Sequence, residues 1–489
     1  MSTVVYPPAT EIAANIMVAF AHLGVTGITS DSRQVRAGMI FAAYPGEAGD
    51  GRDYIAAAIA AGAAAVVWEA TDFLWSTEFA QIPNFAVSNL RDALGEIAAA
   101  VYGKPSDAMW VIGVTGTNGK TSCTQWIAQS LNVLARKSVV IGTLGNGIPP
   151  DLHYTGNTTP DATVVQAVMR DYRELGVTAV AMEVSSHGLD QGRVHGVQFD
   201  VAVLTNFSQD HLDYHGDMAS YAAVKSKLFV WPNLRYAVLN SDDVLGRKLV
   251  STSSAAKIVT YGFEAADVRG SDLQLSLTGL SMQVDTPWGT GRINSALLGR
   301  FNAHNLLATL AALLVSDVSL ADALRVLTLV QPVAGRMQTL GGGNQPLVVV
   351  DYAHTPDALE KVLQTLRELN PAGMLWCVFG CGGDRDAGKR PLMGAAASQY
   401  ADSVMVTSDN PRSEQPQHII DAIRAGMNGQ EMVVIDRALA INGVIAQAQA
   451  GDVVLIAGKG HEDYQEVAGV KYPFSDIDVA ALALKASAQ

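Results

Sequence analysis

Short apolar runs rich in valine, isoleucine and leucine alternate with helical segments along most of this 489-residue chain. The earlier runs are "WVIGVTG", "TAVAMEV", "FDVAVLTNF" and "YAVLN". The later ones are "LVVVDYA", "MLWCVFG", "SVMVT", "MVVI" and "DVVLIAG". Strands separated by helices pair in parallel, because the helix returns the chain to the same end of the sheet. We therefore predict an α/β protein with mostly parallel sheets and helices on both faces.

Two glycine-containing stretches interrupt this alternation and indicate domain boundaries. "YGKPSDA" at 102–108 has the composition of a linker, and "AGRMQTLGGGNQP" at 334–346 precedes the second series of strands. A chain of this length is expected to form about three domains, at ~100–200 residues each. We expect an N-terminal domain at 1–105, a central phosphate-loop ATPase-type domain with a parallel sheet at 106–336, and a C-terminal Rossmann-like domain at 337–489.

Composition narrows the class of protein. Apolar residues make up 49% of the chain and charged residues 16%, which is typical of a globular protein. The net charge of −14 argues against a general nucleic-acid binder, which would carry a basic patch. The start of the chain lacks the basic and apolar regions of a signal peptide. The most apolar window, residues 55–68, is shorter than the ~18 residues of a membrane span. We expect a cytoplasmic protein without membrane insertion.

Three cysteines, Cys123, Cys377 and Cys381, give an odd count without a paired framework. A reducing compartment suits such a chain. Cys377 and Cys381 lack a second Cys/His pair at zinc spacing, so we interpret them as small core residues.

A glycine-rich stretch, "GVTGTNGKTS" at 113–122, lies between a predicted strand and a predicted helix. Glycines allow backbone N–H groups to surround phosphate oxygens, and the helix N-terminus adds positive potential. Lys120 can reach the terminal phosphates, and the hydroxyl of Thr121 can bind Mg²⁺. Val114 stands where the general phosphate-loop pattern has glycine, so the match is to the shorter variant Gly116–Thr121.

"GTNGKT" in this setting resembles the Mur ligase family, the ATP-dependent amide-forming enzymes of peptidoglycan precursor synthesis. The resemblance covers most of the chain and is similar in detail to members that add a diamino acid to UDP-N-acetylmuramoyl-L-alanyl-D-glutamate. It implies phosphorylation of the D-Glu γ-carboxylate by ATP, then attack of an amine on the acyl phosphate. The other motifs that carry it are "NTTPD" (157–161), "MEVSSHGLDQGRV" (182–194), "TNFSQDHLDYHG" (205–216), "YAAVKSKLF" (221–229), "GRFNAHNLLA" (299–308), "GRM" (335–337), "VDYAHTPDAL" (350–359), "FGCGGDRDAGKRPLM" (379–393), "DNPR" (409–412) and "AGKGHEDYQ" (457–465).

Metal and catalytic residues follow from the residues and the resemblance together. Glu183 ends a predicted strand one strand from the phosphate loop, where a carboxylate can hold Mg²⁺. The resemblance implies that His211 is a further ligand and that Lys225 is carbamylated, which turns an ammonium into an anionic ligand. Considered alone, a lysine on a helix such as Lys225 is more often solvated, and Lys227 faces elsewhere on the same helix. The metal ligands implied are Thr121, Glu183, His211 and Lys225, and the catalytic residues are Lys120, Glu183, His211 and Lys225.

The resemblance also implies the sites for the nucleotide and for the muramoyl peptide. The nucleotide site falls in two predicted domains, and such a division implies closure on binding. The ATP-binding residues are Gly116, Thr117, Asn118, Gly119, Lys120, Thr121, Ser122, Asn302, Asn305, Arg336, Asp351 and His354. The residues for UDP-N-acetylmuramoyl dipeptide are Ser30, Ser32, Asn157, Thr158, Thr159, Ser185, Gln191 and Arg193, with the glycine-rich loop 44–52 nearby.

The choice of amino acid depends on the distal end of the substrate. meso-Diaminopimelate carries a second carboxylate that lysine lacks, and the planar fork of an arginine pairs with carboxylate through two hydrogen bonds. In the family, "DNPR" accompanies diaminopimelate, which favours Arg412 as that partner. The residues implied for diaminopimelate are Arg385, Asp409, Asn410, Pro411, Arg412, Gly458 and Glu462.

Several alternatives remain open at this stage. The lysine-adding form of the same ligase is the first, and folylpolyglutamate synthase is a more distant one. A phosphate-loop NTPase that acts as a switch would hydrolyse ATP without an amino acid, and a non-catalytic binding protein would not turn over at all. We expect a monomer that binds ATP, UDP-N-acetylmuramoyl-L-alanyl-D-glutamate and meso-diaminopimelate, with Mg²⁺ as cofactor.

Overall fold

The computed structural model describes residues 7–46 and 49–487. The chain divides into two compact units. The first takes in the chain up to Ser271 together with 284–291 and 304–327, and the second takes in 272–283, 292–303 and the chain from Thr328 onward.

Among the described residues, ten α-helices and twelve strands lie wholly within the first unit. The helices are α1 (Ala9–Ala19), α2 (Ile55–Ala60), α3 (Leu90–Val101), α4 (Lys120–Val133), α5 (Ala162–Glu174), α6 (Ser186–Asp190), α7 (Leu212–His215), α8 (Met218–Ser226) and α9 (Val244–Val250), with α11 (Leu320–Leu327) following later in the chain. The strands are β1 (Gly27–Thr29), β2 (Met39–Ala43), β3 (Ala65–Glu69), β4 (Asn84–Val87), β5 (Trp110–Thr115), β6 (Ser138–Gly142), β7 (Gly145–Ile148), β8 (Asp151–His153), β9 (Ala179–Glu183), β10 (Val201–Leu204), β11 (Tyr236–Asn240) and β12 (Lys257–Gly262).

These strands form two sheets. β1 to β4 make a four-stranded sheet in chain order, and every pair in it is parallel. The larger sheet has the order β12-β11-β10-β5-β9-β6, again parallel throughout, and the antiparallel strands β7 and β8 extend it beyond β6. The phosphate loop leaves the central strand β5, whose neighbours β9 and β10 supply the surrounding loops.

A close approach of two glycines joins the elements around these two sheets. A Cβ built on Gly95, in α3, would collide with the backbone carbonyl of His195. A Cβ built on Gly196 would collide in turn with the carbonyl of Gly95. Ala162, in α5, belongs to the same apolar core as β1 to β3 and α3. The first sheet is therefore packed directly against the loop that precedes β10 and against α5.

The division between the units passes through four elements. They are β13 (Val268–Ser276), β14 (Gly279–Thr286), β15 (Gly289–Ser295) and α10 (Arg300–Leu314).

The second unit has a sheet of six strands in the order β16-β17-β21-β18-β19-β20. All of its pairs are parallel except β16 with β17. A separate antiparallel hairpin is formed by β22 and β23. The strands are β16 (Gln338–Gly341), β17 (Leu347–Asp351), β18 (Leu375–Phe379), β19 (Ser403–Val406), β20 (Met432–Val433), β21 (Val453–Ala457), β22 (Tyr464–Val467) and β23 (Val470–Pro473), and the helices are α12 (Pro356–Leu369), α13 (Lys389–Tyr400), α14 (Pro416–Arg424), α15 (Arg437–Gln447) and α16 (Asp476–Ser487).

The predicted fold class is confirmed, since parallel sheets with intervening helices make up both units. The three-domain division stays a prediction. The expected linker at 102–108 is packed: Pro105–Ala108 form a 3₁₀ turn, and the Ser106 hydroxyl accepts a hydrogen bond from the Gln198 N–H at 3.0 Å. The antiparallel strands β7 and β8 were not expected, nor were β13, which pairs in parallel with β12, and the strands β14 and β15 that follow it.

Two further expectations concern cysteines and membranes. All three cysteines are free and buried, which agrees with the interpretation of Cys377 and Cys381 as core residues. Burial raises the pKa of the Cys381 thiol to about 12, with smaller contributions from nearby charges. Among residues 7–46 and 49–487, no helix is both long enough and apolar enough to cross a bilayer.

Candidate active site

The predicted phosphate loop connects β5 to α4, and α4 begins at Lys120 as expected. The segment after β10 supports the loop. The Thr117 N–H donates to the Asn206 carbonyl at 2.8 Å, and the Thr205 hydroxyl donates to the Asn118 carbonyl at 2.6 Å. The Ser208 N–H donates to the Thr117 hydroxyl at 3.0 Å. The segment 205–210, "TNFSQD", therefore fixes the loop conformation. The motif carries the family resemblance, but this supporting role was not predicted.

Two lysines converge on one carbonyl of the loop. The Lys120 amine donates to the carbonyls of Gly116 and Thr117 at 2.7 and 2.9 Å. The Lys225 amine donates to the same Gly116 carbonyl at 3.0 Å and lies 4.6 Å from the centre of the Tyr221 ring. Both side chains therefore point at the place where a bound phosphate would accept hydrogen bonds.

Lys225 is buried, with only 1% of its surface exposed. The interpretation of an isolated lysine as solvated was wrong for this residue, because α8 turns this face toward the loop. Lys227 is the solvated one, half exposed and paired with Asp190 at 3.3 Å. Burial lowers the pKa of the Lys225 amine well below its ordinary value, and the charge of Lys120 adds to the effect. Burial of this kind favours the neutral amine over the ammonium.

Glu183 ends β9 beside β5 and is 1% exposed. The Thr121 hydroxyl donates to one of its carboxylate oxygens at 2.9 Å. Thr143 donates twice, from its N–H at 2.8 Å and from its hydroxyl at 3.0 Å. The structure thus unites the predicted Thr121 and Glu183, and adds Thr143. The sequence analysis missed Thr143 because it lies in an unremarkable turn after β6.

His211 directly precedes α7 and adopts a left-handed backbone conformation, at φ 52°. Its ring lies 3.3 Å from the Asp210 carboxylate and edge-on to the His187 ring, with 4.9 Å between the ring centres. About half of its side chain is exposed. His215, to which no role was assigned, shares a hydrogen bond with the Ser186 hydroxyl at 2.9 Å.

The residues predicted for the muramoyl dipeptide form a connected group after β9. The Thr159 hydroxyl donates to the Glu183 carbonyl at 2.8 Å and accepts from the Ser185 N–H at 3.0 Å. Arg193 donates to the Thr159 carbonyl at 2.9 Å and to the Gln191 side-chain carbonyl at 2.5 Å. This group therefore shares the Glu183 strand end with the phosphate loop.

The other residues predicted for the muramoyl dipeptide are Asn157, Thr158, Ser30 and Ser32. The hydroxyls of Thr158 and Thr143 share a hydrogen bond at 3.0 Å, and Asn157 is exposed. Ser30 and Ser32 are half-buried, after β1. In the loop 44–52, residues 47 and 48 lie outside the described residues.

The predicted nucleotide residues belong to both units. In the first unit, Asn305 lies against Gly119, where an added Cβ would collide with its side-chain oxygen. In the second, Asn302 donates to the Leu298 carbonyl at 2.9 Å. Asp351 ends β17 and accepts from the N–H groups of Met337 and Ala353, each at 2.8 Å.

Arg336 and His354 flank one aromatic ring in the second unit. The Arg336 guanidinium lies 4.8 Å from the centre of the Tyr352 ring, and the His354 ring lies 4.7 Å from it. Burial raises the pKa of Asp351, and the charge of Arg336 opposes that rise.

A second cluster of predicted residues lies at the carboxyl edge of the second unit's sheet. β18 is central there, and its last residue, Phe379, pairs with Val406 of β19 and with Ala457 of β21. The loops after these three strands therefore start side by side. They carry Arg385, the segment 409–412, and the segment 458–462. In open α/β sheets, ligands bind at this edge.

A buried lysine connects two of these loops. Lys459 is fully buried, and its amine donates to the Asn410 side-chain oxygen at 2.9 Å and to the Glu462 carboxylate at 3.1 Å. The Asn410 amide donates to the same carboxylate at 2.7 Å. Lys459 lies within the quoted "AGKGHEDYQ", but the sequence analysis gave it no role. The three side chains fix one another's orientation.

Arg412 adopts a left-handed backbone conformation, at φ 50°. Its N–H donates to the Glu466 carbonyl at 3.0 Å, and its guanidinium donates to the Gly383 carbonyl at 2.7 Å. The Glu466 carboxylate lies 3.5 Å from its Nε. The hairpin β22–β23 thus holds this arginine in place, with about a fifth of its side chain exposed.

Arg385 is exposed, and Asp409, Asn410 and Pro411 are buried. Gly458 has φ 114°, and a Cβ there would lie 2.6 Å from the Asp409 carboxylate. Hydrogen bonds from Ser413 hold the pKa of Asp384 below its ordinary value, and the charges of Arg412 and Arg385 contribute. Arg412 and Arg385 therefore both lie close enough to Asp384 to lower its pKa.

Comparison with known proteins agrees with this geometry. Three family models match along the chain: "Mur ligase family, catalytic domain" at 24–102, "Mur ligase middle domain" at 114–313, and "Mur ligase, glutamate ligase domain" at 335–460.

Relatives from two bacteria and one solved structure carry the same name, UDP-N-acetylmuramoyl-L-alanyl-D-glutamate--2,6-diaminopimelate ligase. The protein of Chromobacterium violaceum is 54% identical over 469 residues, which is 95% of each chain. That of Neisseria meningitidis serogroup B is 51% identical over 462 residues, 93% of this chain and 94% of the relative. The solved structure is 40% identical, with a TM-score of 0.70, and covers 95% of this chain and 96% of its own.

Proposed function

The chain belongs to the Mur ligase family, and from this premise we propose that it joins meso-2,6-diaminopimelate to UDP-N-acetylmuramoyl-L-alanyl-D-glutamate at the expense of ATP. The bond formed is an amide to the γ-carboxylate of D-Glu, made during cytoplasmic synthesis of peptidoglycan precursors. The observation that carries the proposal is the convergence of Lys120, Thr121, Glu183 and Lys225 on one phosphate loop. The names of the relatives supply the substrates.

The first step transfers the γ-phosphoryl group of ATP to the D-Glu carboxylate. The carboxylate oxygen attacks phosphorus, the bond to the β-phosphate oxygen breaks, and ADP leaves with that electron pair. We assign Lys120 to the transferred phosphoryl group, because its amine already reaches the two carbonyls that open the loop. The group after β9, with Ser185, Gln191 and Arg193, would hold the dipeptide beside it.

Mg²⁺ would be held by Thr121, Glu183, His211 and carbamylated Lys225. The hydroxyl of Thr121 and the carboxylate of Glu183 are the hard oxygen ligands that this ion prefers. Among the described residues, no group of three or more His, Cys, Asp or Glu side chains could hold a metal. The remaining ligands would therefore come from the nucleotide and from water, as is usual for Mg²⁺. When bound, the ion neutralises the charge that develops between two anions.

Carbamylation of Lys225 needs a neutral amine. The amine attacks the carbon of CO₂, and loss of one proton leaves an N-carboxylate. Burial lowers the pKa of this lysine and so favours that form.

The second step depends on the loops of the second unit. The amine of diaminopimelate attacks the acyl carbon, and phosphate leaves from the tetrahedral intermediate. Glu462 would receive the ammonium end of the amino acid before it is deprotonated, and Arg412 and Arg385 would bind the distal carboxylate. A site built around a fixed arginine rejects lysine, which would leave that cation unpaired.

We further propose that each of three domains binds a different substrate. Residues 1–105 would bind the UDP moiety through Ser30 and Ser32, 106–336 the nucleotide, and 337–489 the amino acid. Asn302, Asn305, Arg336, Asp351 and His354 would surround the base and ribose of ATP. The protein would act as a monomer in the cytoplasm.

The test is phosphate release in the presence of ATP, Mg²⁺ and UDP-N-acetylmuramoyl dipeptide, with either meso-diaminopimelate or L-lysine. We expect turnover that requires both the dipeptide and diaminopimelate. Equal turnover with lysine would refute the choice of amino acid. Turnover with ATP alone would favour a regulatory NTPase, and none under any condition would refute the ligase.

A further inference from the structure

A fully buried ion pair lies behind the two loops that carry the amino-acid site. Arg437 is the first residue of α15 and Asp476 the first of α16, and both side chains have no exposed surface. The Arg437 guanidinium donates to the two Asp476 carboxylate oxygens at 2.7 Å each, from Nε and Nη2. This is the planar two-bond geometry that a guanidinium and a carboxylate favour.

The same guanidinium also touches both loops. Nη2 donates to the carbonyl of Ala457, the last residue of β21, at 3.0 Å. Nη1 donates to the carbonyl of Ser408, two residues after β19, at 3.4 Å. Asp409 and Gly458 follow these carbonyls directly in the chain. One side chain therefore spans the starts of two loops whose strands, β19 and β21, are separated by β18 in the sheet.

The charge of Arg437 acts in the same direction. Burial opposes that charge, but the carboxylates of Asp476, Asp409 and Glu462 outweigh burial, and the pKa of Arg437 rises above its ordinary value. Asp409 and Glu462 belong to the two loops. The buried cation therefore interacts with acidic side chains of both loops.

Burying an ion pair usually adds little to the free energy of unfolding. Removing two charges from water costs about as much as their attraction returns, and apolar replacements of similar volume are often neutral or stabilising. A buried pair is better explained where its hydrogen bonds fix a conformation. Here the bonds to Ser408 and Ala457 fix the separation of two loops.

We propose that Arg437, held by Asp476, is a positioning residue for the amino-acid site: it sets the spacing between the 409–412 and 458–462 loops so that both ends of one amino acid are bound at once. This inference rests on the function proposed above. It assigns Arg437 no contact with the substrate. Asn410, Lys459 and Glu462 then complete the connection between the loops on the substrate side.

The test uses the double variant Arg437→Met/Asp476→Leu in the full-length protein. Removing Arg437 alone would leave Asp476 buried and unpaired, whereas the double variant replaces both charges by apolar side chains. We expect a folded protein in urea unfolding, a KM for meso-diaminopimelate that rises on the order of tenfold or more, and a KM for ATP close to that of the parent. The matched control is Arg424→Met/Glu431→Leu, which removes another ion pair of the same unit.

Two outcomes overturn the inference. A folded double variant with an unchanged KM for diaminopimelate shows that the pair only fills space. Equal rises in both KM values show a general structural role. If the double variant does not fold, Arg437→Lys decides: it keeps the charge without the fork, and the inference requires the same selective rise. The parent enzyme in the same assay tests the proposed function separately, because its failure to use diaminopimelate is independent of any variant.

Discussion

The partners of ionisable side chains differ between two regions of the molecule. The phosphate-loop region comprises the loop 113–122 with Glu183 and Lys225. The amino-acid region comprises the 409–412 and 458–462 loops with the side chains that contact them. In the first, ionisable groups bond to neutral partners. The Lys225 amine donates to a backbone carbonyl, and the Glu183 carboxylate accepts from hydroxyls and an N–H of Thr121 and Thr143. The negative charge of Glu183 is therefore available to a ligand that brings positive charge, as a metal ion does.

In the amino-acid region, charges are paired within the protein. Lys459 pairs with Glu462, Arg412 with Glu466, and Arg437 with Asp476. A diamino acid brings both signs at once, so a region whose own charges are balanced can bind it by exchanging partners. From this difference we predict that the first region selects its ligands by net charge and the second by the arrangement of charges.

The largest expected effect tests the first region. Lys225→Ala should lower kcat by roughly a hundred- to a thousandfold, since the buried amine and any ligand made from it are lost. A small added carboxylic acid should restore part of the activity by standing in for the missing carboxylate. Lys227→Ala, two residues away and solvated, is the control and should behave like the parent. No rescue at any concentration of the acid would contradict carbamylation.

The next effect tests the second region. Arg412→Ala should raise the KM for meso-diaminopimelate about ten- to a hundredfold, the value of charge-assisted hydrogen bonds, and leave the KM for ATP unchanged. Steady-state kinetics with each substrate varied in turn measures both. Equal losses for the two substrates would mean that Arg412 is structural and that selection by arrangement is wrong.

A third prediction concerns His461, which lies in the 458–462 loop. Burial and, to a smaller extent, the charge of Arg336 lower its pKa from 6.5 to about 4. Between these values the unfolded chain binds a proton that the folded chain does not, so stability falls as the pH drops from 6.5 to 4. The loss is at most about 3 kcal/mol. His461→Phe should flatten that part of the pH dependence of urea unfolding, and an unchanged profile would contradict it.

The smallest effect concerns the hydroxyl of Thr143. Thr143→Val removes one hydrogen bond to Glu183 but keeps the N–H donor, and should lower kcat about fivefold. Thr143→Ser retains the hydroxyl and should retain most of the activity. A parent-like rate for the valine variant would mean that the first region tolerates an incompletely bonded carboxylate.

Much of the fold and of the site was predictable from the sequence, for physical reasons. Parallel strands produce apolar runs with regular spacing, and the loop from Gly116 to Thr121 lies where the strand and helix pattern predicts it. The burial of Lys225 was not predictable from α8 alone, because it depends on the distant loop that this helix covers.

Contacts across long sequence separations account for the rest. Glu466 meets Arg412 only because a hairpin folds back over the 409–412 loop, and hairpin β22–β23 gave no recognisable signal. Arg437 and Asp476 lie in two helices whose first residues meet behind the sheet. No local pattern records such a meeting.

The contact between Gly95 and Gly196 has a consequence for exchanging parts between related ligases. Gly95 leaves room for the His195 carbonyl and Gly196 for the Gly95 carbonyl, so a side chain on either glycine forces the two segments apart. A hybrid that takes residues 1–105 from one relative and the remainder from another is thus compatible only if the first parent has glycine at position 95 and the second has glycine at position 196. The need for glycine at positions 95 and 196 therefore limits which of these proteins can be recombined.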